Sequence, residues 1–230
     1  FKGITAAVGV DAGIINPDEN LGYVGLSWQK DASWGDYHVT TLTDYGETVN
    51  LVNAMTYSDN IYFAREALKI GADTMEEKLK SFGFEEELPF DLTMQASTFD
   101  DDGKIDSEIQ LADTGYGQGQ VLVNPLHLLS MYSMFVNDGN MIQPVLKYEE
   151  NAAAKIWKEQ AVSAQTAQTV KQSLLSVIDT ERLDHSGIYK GCSTDGFGGY
   201  KRSHKQSSWY WLCSMQNGYY IGWKNRNCRD

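Results

Sequence analysis

The sequence predicts a helix-dominated α/β chain with only a partial antiparallel sheet, and three observations support this. Helical periodicity with capping punctuation runs through residues 50–82 and again from 124 to 178. Gly22 to Thr43 is rich in Gly, Trp, Tyr and Thr with partial alternation, the pattern of short strands joined by turns. Candidates for the strands that would complete a sheet are few.

In chain order, Phe1 to Gly9 has the small and apolar content of a buried helix and begins with no cap ahead of it. The chain is therefore expected to start inside an element. Asn50 to Tyr57 predicts a short helix, and Ile61 to Ile70 a second one closed by Gly71; Ser58-Asp59-Asn60 lies between them. Asp73 to Phe82 is amphipathic, with Met75, Leu79 and Phe82 on one face and Gly83 as its stop. A polar loop is expected after it. Asn124-Pro125 is a helix start, because asparagine caps and proline tolerates the first helical position; Leu128, Met131, Tyr132 and Phe135 continue it to Asp138-Gly139-Asn140. Pro144 to Tyr148 is expected as an edge strand, and Ser163 to Ile178 as a helix with Val170, Leu174, Val177 and Ile178 inward.

With 230 residues and 42% hydrophobic content the chain can bury a core, and a formal charge of −12 argues against nucleic acid or an anionic membrane as principal partner. No apolar run spans a bilayer and nothing reads as a signal peptide, so a membrane anchor is expected to lie outside this chain. The charge is uneven. Residues 1–190 hold 13 Lys/Arg and 29 Asp/Glu, whereas residues 191–230 hold 6 and 2. That last stretch also contains Cys192, Cys213 and Cys228 and three of the six tryptophans. Three cysteines without C-x-x-C spacing make neither a zinc site nor a complete disulfide set.

Among candidate sites, Asp100 to Asp106 imitates a calcium loop, but its first position would be Thr98 and its twelfth Ile109, so the closing carboxylate is missing. A solvated acidic loop is the expectation. Gly115-Tyr116-Gly117-Gln118-Gly119 lacks the following Lys-Ser/Thr of a phosphate loop. His38, His127, His185 and His204 have no ligand spacing, and no metal or other cofactor is expected. Ser58-Asp59-Asn60 stands apart, because a Ser-x-Asn triplet at a turn between helices presents a hydroxyl and a carboxamide to one cleft. With a buried helix beginning near Lys2, it matches two parts of the active-serine set Ser-x-x-Lys, Ser-x-Asn and Lys-Thr-Gly.

Longer segments extend that match. Trp28-Gln29-Lys30-Asp31 with Ser33-Trp34-Gly35, Tyr57 through Arg65, and Gly115 through Leu126 resemble the low-affinity class B penicillin-binding proteins of Gram-positive bacteria, including the methicillin-resistance type. The resemblance covers roughly residues 1–178. It implies the fold shared by penicillin-binding transpeptidases and serine β-lactamases, here incomplete. By position Lys2 resembles the lysine of Ser-x-x-Lys, whose serine would stand three residues earlier, outside this chain. Ser58 resembles the hydroxyl that relays protons, and Asn60 the carboxamide that holds lysine and substrate. Asp59, at the variable middle position, is expected to point away. Tyr57, Gly117, Gln118 and Gly119 would belong to the substrate cleft. The implied reaction is D,D-transpeptidation of peptidoglycan stem peptides through an acyl-serine, with β-lactams as mimics and the outer face of the cytoplasmic membrane as its place. As written, a chain without the nucleophile is expected to be inactive. The alternatives are a non-catalytic fragment, or a relative of serine β-lactamases and β-lactam sensors.

No Lys-Thr-Gly or Lys-Ser-Gly occurs in the sequence. Reading the codons from Ile221-Gly222 one base out of step allows Leu-Ala-Gly-Lys-Thr-Gly-Thr-Ala-Glu, and the same shift at Trp209 to Leu212 allows Gly-Thr-Gly. Residues 1–178 are thus expected to form a partial transpeptidase domain, and 179–230 an out-of-frame, poorly ordered tail.

Overall fold

The computed structural model describes residues 1–147, 149–150 and 152–178. Of the two units into which the chain divides, the first is Phe1–Leu146 with Asn151–Val177. The expectations for residues 179–230, with the three cysteines, His185 and His204, lie outside the described residues.

The first unit is built on helix α1 (Lys2–Asp11), whose residues Gly3 through Gly9 are all buried. Small side chains at Gly3, Ala6, Ala7 and Gly9 let neighbours approach on every side. Around α1 pack α2 (Leu51–Thr56), α3 (Asn60–Ile70), α4 (Ala72–Ser81) and α5 (Glu108–Tyr116). The α3–α5 contact is the most extensive helix pair. Gly115 makes it possible, since a Cβ there would stand 2.5 Å from the Phe63 carbonyl oxygen and 2.6 Å from Ala67 Cβ.

β1 (Ser27–Trp28) and β2 (Val39–Thr40) pair antiparallel, with Trp28 opposite Val39. A 3-10 turn over Ala32–Trp34 sits between them, capped by Asp31 accepting from the Ser33 N–H. This hairpin drives the buried Trp34 into a cluster with Val39, Ile61, Ala64 and Ala112, so it is a wedge over α3 and α5. Lys30 and Glu108 form an ion pair across the same seam, and Trp34 Nε1 donates to Glu108 at 3.4 Å.

Farther along, α6 (Pro125–Ser133) starts at the Asn124 cap and tightens into a 3-10 turn over Met134–Val136. β3 (Met141–Ile142) pairs antiparallel with β4 (Ile156–Lys158), and α7 (Ala164–Ile178) follows. The architecture is a helix-rich, incomplete α/β domain, and among the described residues the strands form two separate two-stranded sheets.

Four expectations need correction. Pro144 to Lys147 form no strand; pairing occurs at Met141–Ile142 and Ile156–Lys158 and ends with the Gln143 N–H on the Lys155 carbonyl at 2.8 Å, before Pro144 is reached. The polar stretch after Gly83 contains α5, signalled by Ser107-Glu108-Ile109-Gln110, in which the Ser107 hydroxyl accepts from the Gln110 N–H at 3.1 Å. Gly115 and Tyr116 belong to that helix and not to a loop. In α7 the inward face is Thr166, Ala167, Val170, Ser173 and Leu174, while Val177 and Ile178 are only partly buried.

Candidate active site

Ser58-Asp59-Asn60 is the junction of two helices, and each residue has a different backbone state. Tyr57 ends α2, and Ser58 follows in the left-handed region with φ 55°. The Asp59 N–H bonds the Ala54 carbonyl at 2.8 Å and the Ser58 N–H bonds that of Met55 at 3.2 Å. That pair of bonds is a Schellman ending with Ser58 where glycine usually stands. A non-glycine residue there is strained by about 1 kcal/mol. Asp59 then caps α3, accepting from the N–H groups of Ile61 at 2.8 Å and Tyr62 at 3.3 Å. Asn60 is the first residue of α3, and its Nδ2 donates to the Thr40 carbonyl at 2.9 Å, tying the junction to β2.

Lys2, at the start of α1, reaches this junction. Its Nζ donates to Ser58 Oγ at 3.0 Å. Burial pushes the lysine down from 10.5 to about 8, against the opposing pull of the Asp59 carboxylate. Near neutral pH a usable fraction of the amine is therefore unprotonated, which suits a group that takes a proton from a hydroxyl. Ser58 itself is exposed, so the pair faces solvent on one side.

Gly117 and Tyr57, also expected in the cleft, are held by different contacts. Gly117 caps α5 in the left-handed conformation at φ 79°, and a Cβ on it would lie 2.4 Å from Phe1 Cβ. Tyr57 stacks on Tyr45, with ring centroids 4.7 Å apart and planes within 6°. Gln118 and Gly119 continue from Gly117 as exposed residues, and the Gln118 N–H is fixed on the Asp113 carbonyl at 2.9 Å.

Two expectations fare differently. Among the described residues the Lys2 amine bonds Ser58 and not Asn60, whose amide is occupied by Thr40. Asp59, expected to point away, is buried at 4% exposure and accepts the Tyr45 hydroxyl at 2.6 Å. Its capping role was readable, since an Asp directly before a helical run is an N-cap signal. Tyr45 carried no such signal. The acidic loop holds itself together, with Asp100 accepting from the Asp102 N–H at 2.9 Å and Asp102 from that of Lys104 at 3.1 Å. No group of three or more His, Cys, Asp or Glu able to hold a metal occurs among the described residues.

Comparison with known proteins gives these positions a family. The model of the penicillin binding protein transpeptidase domain matches residues 1–205. The chain belongs to that family. It is 39% identical over 228 residues to penicillin-binding protein 3 of Bacillus subtilis (strain 168), an alignment covering 99% of this chain and 34% of the relative. The chain thus spans about a third of the length of that curated relative. The crystal structure of a peptidoglycan glycosyltransferase from Burkholderia ambifaria superposes with a TM-score of 0.65 at 20% identity, over 78% of this transpeptidase-family chain and 54% of that one. At that identity the likeness establishes the fold alone. No described helix of the transpeptidase-family chain is long and apolar enough to cross a membrane.

Proposed function

We propose that this chain derives from a serine D,D-transpeptidase that cross-links peptidoglycan and is acylated by β-lactams, with Lys2 as base and Ser58 as proton relay. The observation that carries this is the 3.0 Å contact between a lysine lowered to about 8 and an exposed serine hydroxyl at a strained turn. In the proposed reaction the nucleophilic serine three residues before Lys2 gives its proton to the Lys2 amine and attacks the penultimate D-alanine carbonyl. The bond to the terminal D-alanine breaks, and the proton passes through Ser58 to the leaving amine. A second stem amine then displaces the serine. Asn60 supports the cleft from the Thr40 side, and Tyr57 with Gly117, Gln118 and Gly119 lines it. The proposed setting is the outer face of the cytoplasmic membrane, reached through an anchor outside these residues, in a resistance-type protein of low β-lactam affinity.

The chain of residues 1–230 holds no Ser-x-x-Lys ending at Lys2 and no Lys-Thr-Gly. A polypeptide limited to residues 1–230 should be inactive, since losing a nucleophilic serine costs about a millionfold in rate elsewhere. Labelling with a fluorescent penicillin tests both halves. A polypeptide of residues 1–230 should remain unlabelled, and a version extended with Ser-x-x ahead of Lys2 and an in-frame Lys-Thr-Gly strand should label covalently. Labelling of the unextended chain, or an extended version whose labelling survives Lys2→Met and Ser58→Ala, would refute the assignment.

For residues 179–230 the proposal is a reading-frame slip between about Asp179 and Ser208, supported by the shifted Lys-Thr-Gly and by the change in charge balance after residue 190. A divergent in-frame tail is the second reading, favoured by an alignment that spans 99% of the chain. The coding DNA separates them: codons unable to spell the motif one base out of step exclude the slip.

A further inference from the structure

Asp59 is one of the few carboxylates of the unit with almost no exposure, and the whole of it is in use. One oxygen caps α3 through Ile61 and Tyr62, and the other accepts the Tyr45 hydroxyl at 2.6 Å. Tyr45 comes from the loop after β2, and its ring lies flat on Tyr57, the residue before Ser58. The Ser58 turn is therefore gripped from both sides, by a stacked ring on one and a capped carboxylate on the other. This grip holds a residue that would relax from φ 55° if released. The same carboxylate is the charge that opposes desolvation of Lys2.

We infer that Asp59, braced by Tyr45, is a positioning residue for the Lys2–Ser58 pair, setting both the turn that aims the serine hydroxyl and the electrostatic balance of the lysine. The inference rests on reading Lys2 as the base, but it concerns groups that can be followed without turnover. Among the described residues the groups at Lys2 are Asp59 and Ser58 from the α2–α3 junction, and the Tyr132 hydroxyl of α6 lies beside the neighbouring Gly3. Asp59 is the carboxylate among them. Removing its charge should make the lysine easier to deprotonate, whereas removing the tyrosine hydroxyl leaves the carboxylate charge less compensated and should do the reverse.

The test is NMR titration of the intact chain carrying 13C-labelled lysine, with the Lys2 signal assigned by Lys2→Arg. Asp59→Asn keeps a residue that caps as well as aspartate and should lower the Lys2 midpoint by about one pH unit. Tyr45→Phe should raise it. A midpoint unmoved in folded Asp59→Asn overturns the electrostatic role, and a Tyr45→Phe shift that is absent or downward overturns the brace. If Asp59→Asn fails to fold, the sign of the Tyr45→Phe shift alone decides. If both shifts appear while the extended, labelling-competent chain is acylated equally well with and without Lys2, the positioning stands and the reading of Lys2 as base falls.

Discussion

At the scale of single residues, the proposed role of Ser58 and the stability of its turn pull apart. Its left-handed backbone suits glycine, yet the Lys2 contact needs a hydroxyl. Ser58→Gly should raise the unfolding midpoint, by up to about 1 kcal/mol of added stability, while abolishing the Lys2 hydrogen bond. Ser58→Ala should lose the bond without the gain; denaturant melts of the two variants compare them. Lys2 is the matching case in charge. Its folded value of about 8 lies below the unfolded 10.5, so the unfolded chain binds more protons between those limits. Its contribution to stability therefore rises with pH across that window. Lys2→Met should match or exceed the wild type in stability at pH 7, and the gap should close from pH 8 to 10.5.

At the scale of elements, two contacts decide whether helices meet. Gly115 brings α5 onto α3, and Gly115→Ala should cost about 1–3 kcal/mol because the new methyl meets the Phe63 carbonyl, which cannot swing aside. His127 joins α6 to the end of α4. Its Nε2–H donates to the Phe82 carbonyl at 2.9 Å, which leaves Nδ1 to accept the Ser97 hydroxyl at 2.7 Å. Burial lowers this histidine below its usual 6.5, so the stability it contributes is present above that value and lost as pH falls through the depressed one. Acid unfolding should therefore start earlier in the wild type than in His127→Gln, relative to each protein's stability at pH 7.5. The helices whose ends carry a capping residue or a stop glycine were legible in the sequence, as at Gly71 and Asn124, because capping is a local bond. The β3–β4 pair was not, since two- and three-residue strands have no period to detect. Nor was the dual use of Asp59, because its partner Tyr45 lies 14 residues away and nothing local announces the bond.

At the scale of the whole molecule, the family resemblance could be read from segments spread over 1–178, while the geometry joining them could not. Lys2 and Ser58 are 56 residues apart, and only packing of α1 against α2 and α3 puts them in contact. If that packing makes the cleft, loosening α1 anywhere along its buried face should reach the pair. In the extended, labelling-competent form, Ala7→Val, at a site with 0% exposure, should slow penicillin acylation as well as lower stability, whereas Glu77→Ala on the exposed surface of α4 should do neither appreciably. The junction itself sets a rule for how such a chain can diverge. Three consecutive residues pass from left-handed to extended to helical backbone, so one residue added or removed between Tyr57 and Asn60 would undo the Schellman ending and the Asp59 cap together and re-aim α3 against α2. The spacing of the triplet is thus fixed by the bonds of its own backbone and cap as firmly as its side chains are by chemistry.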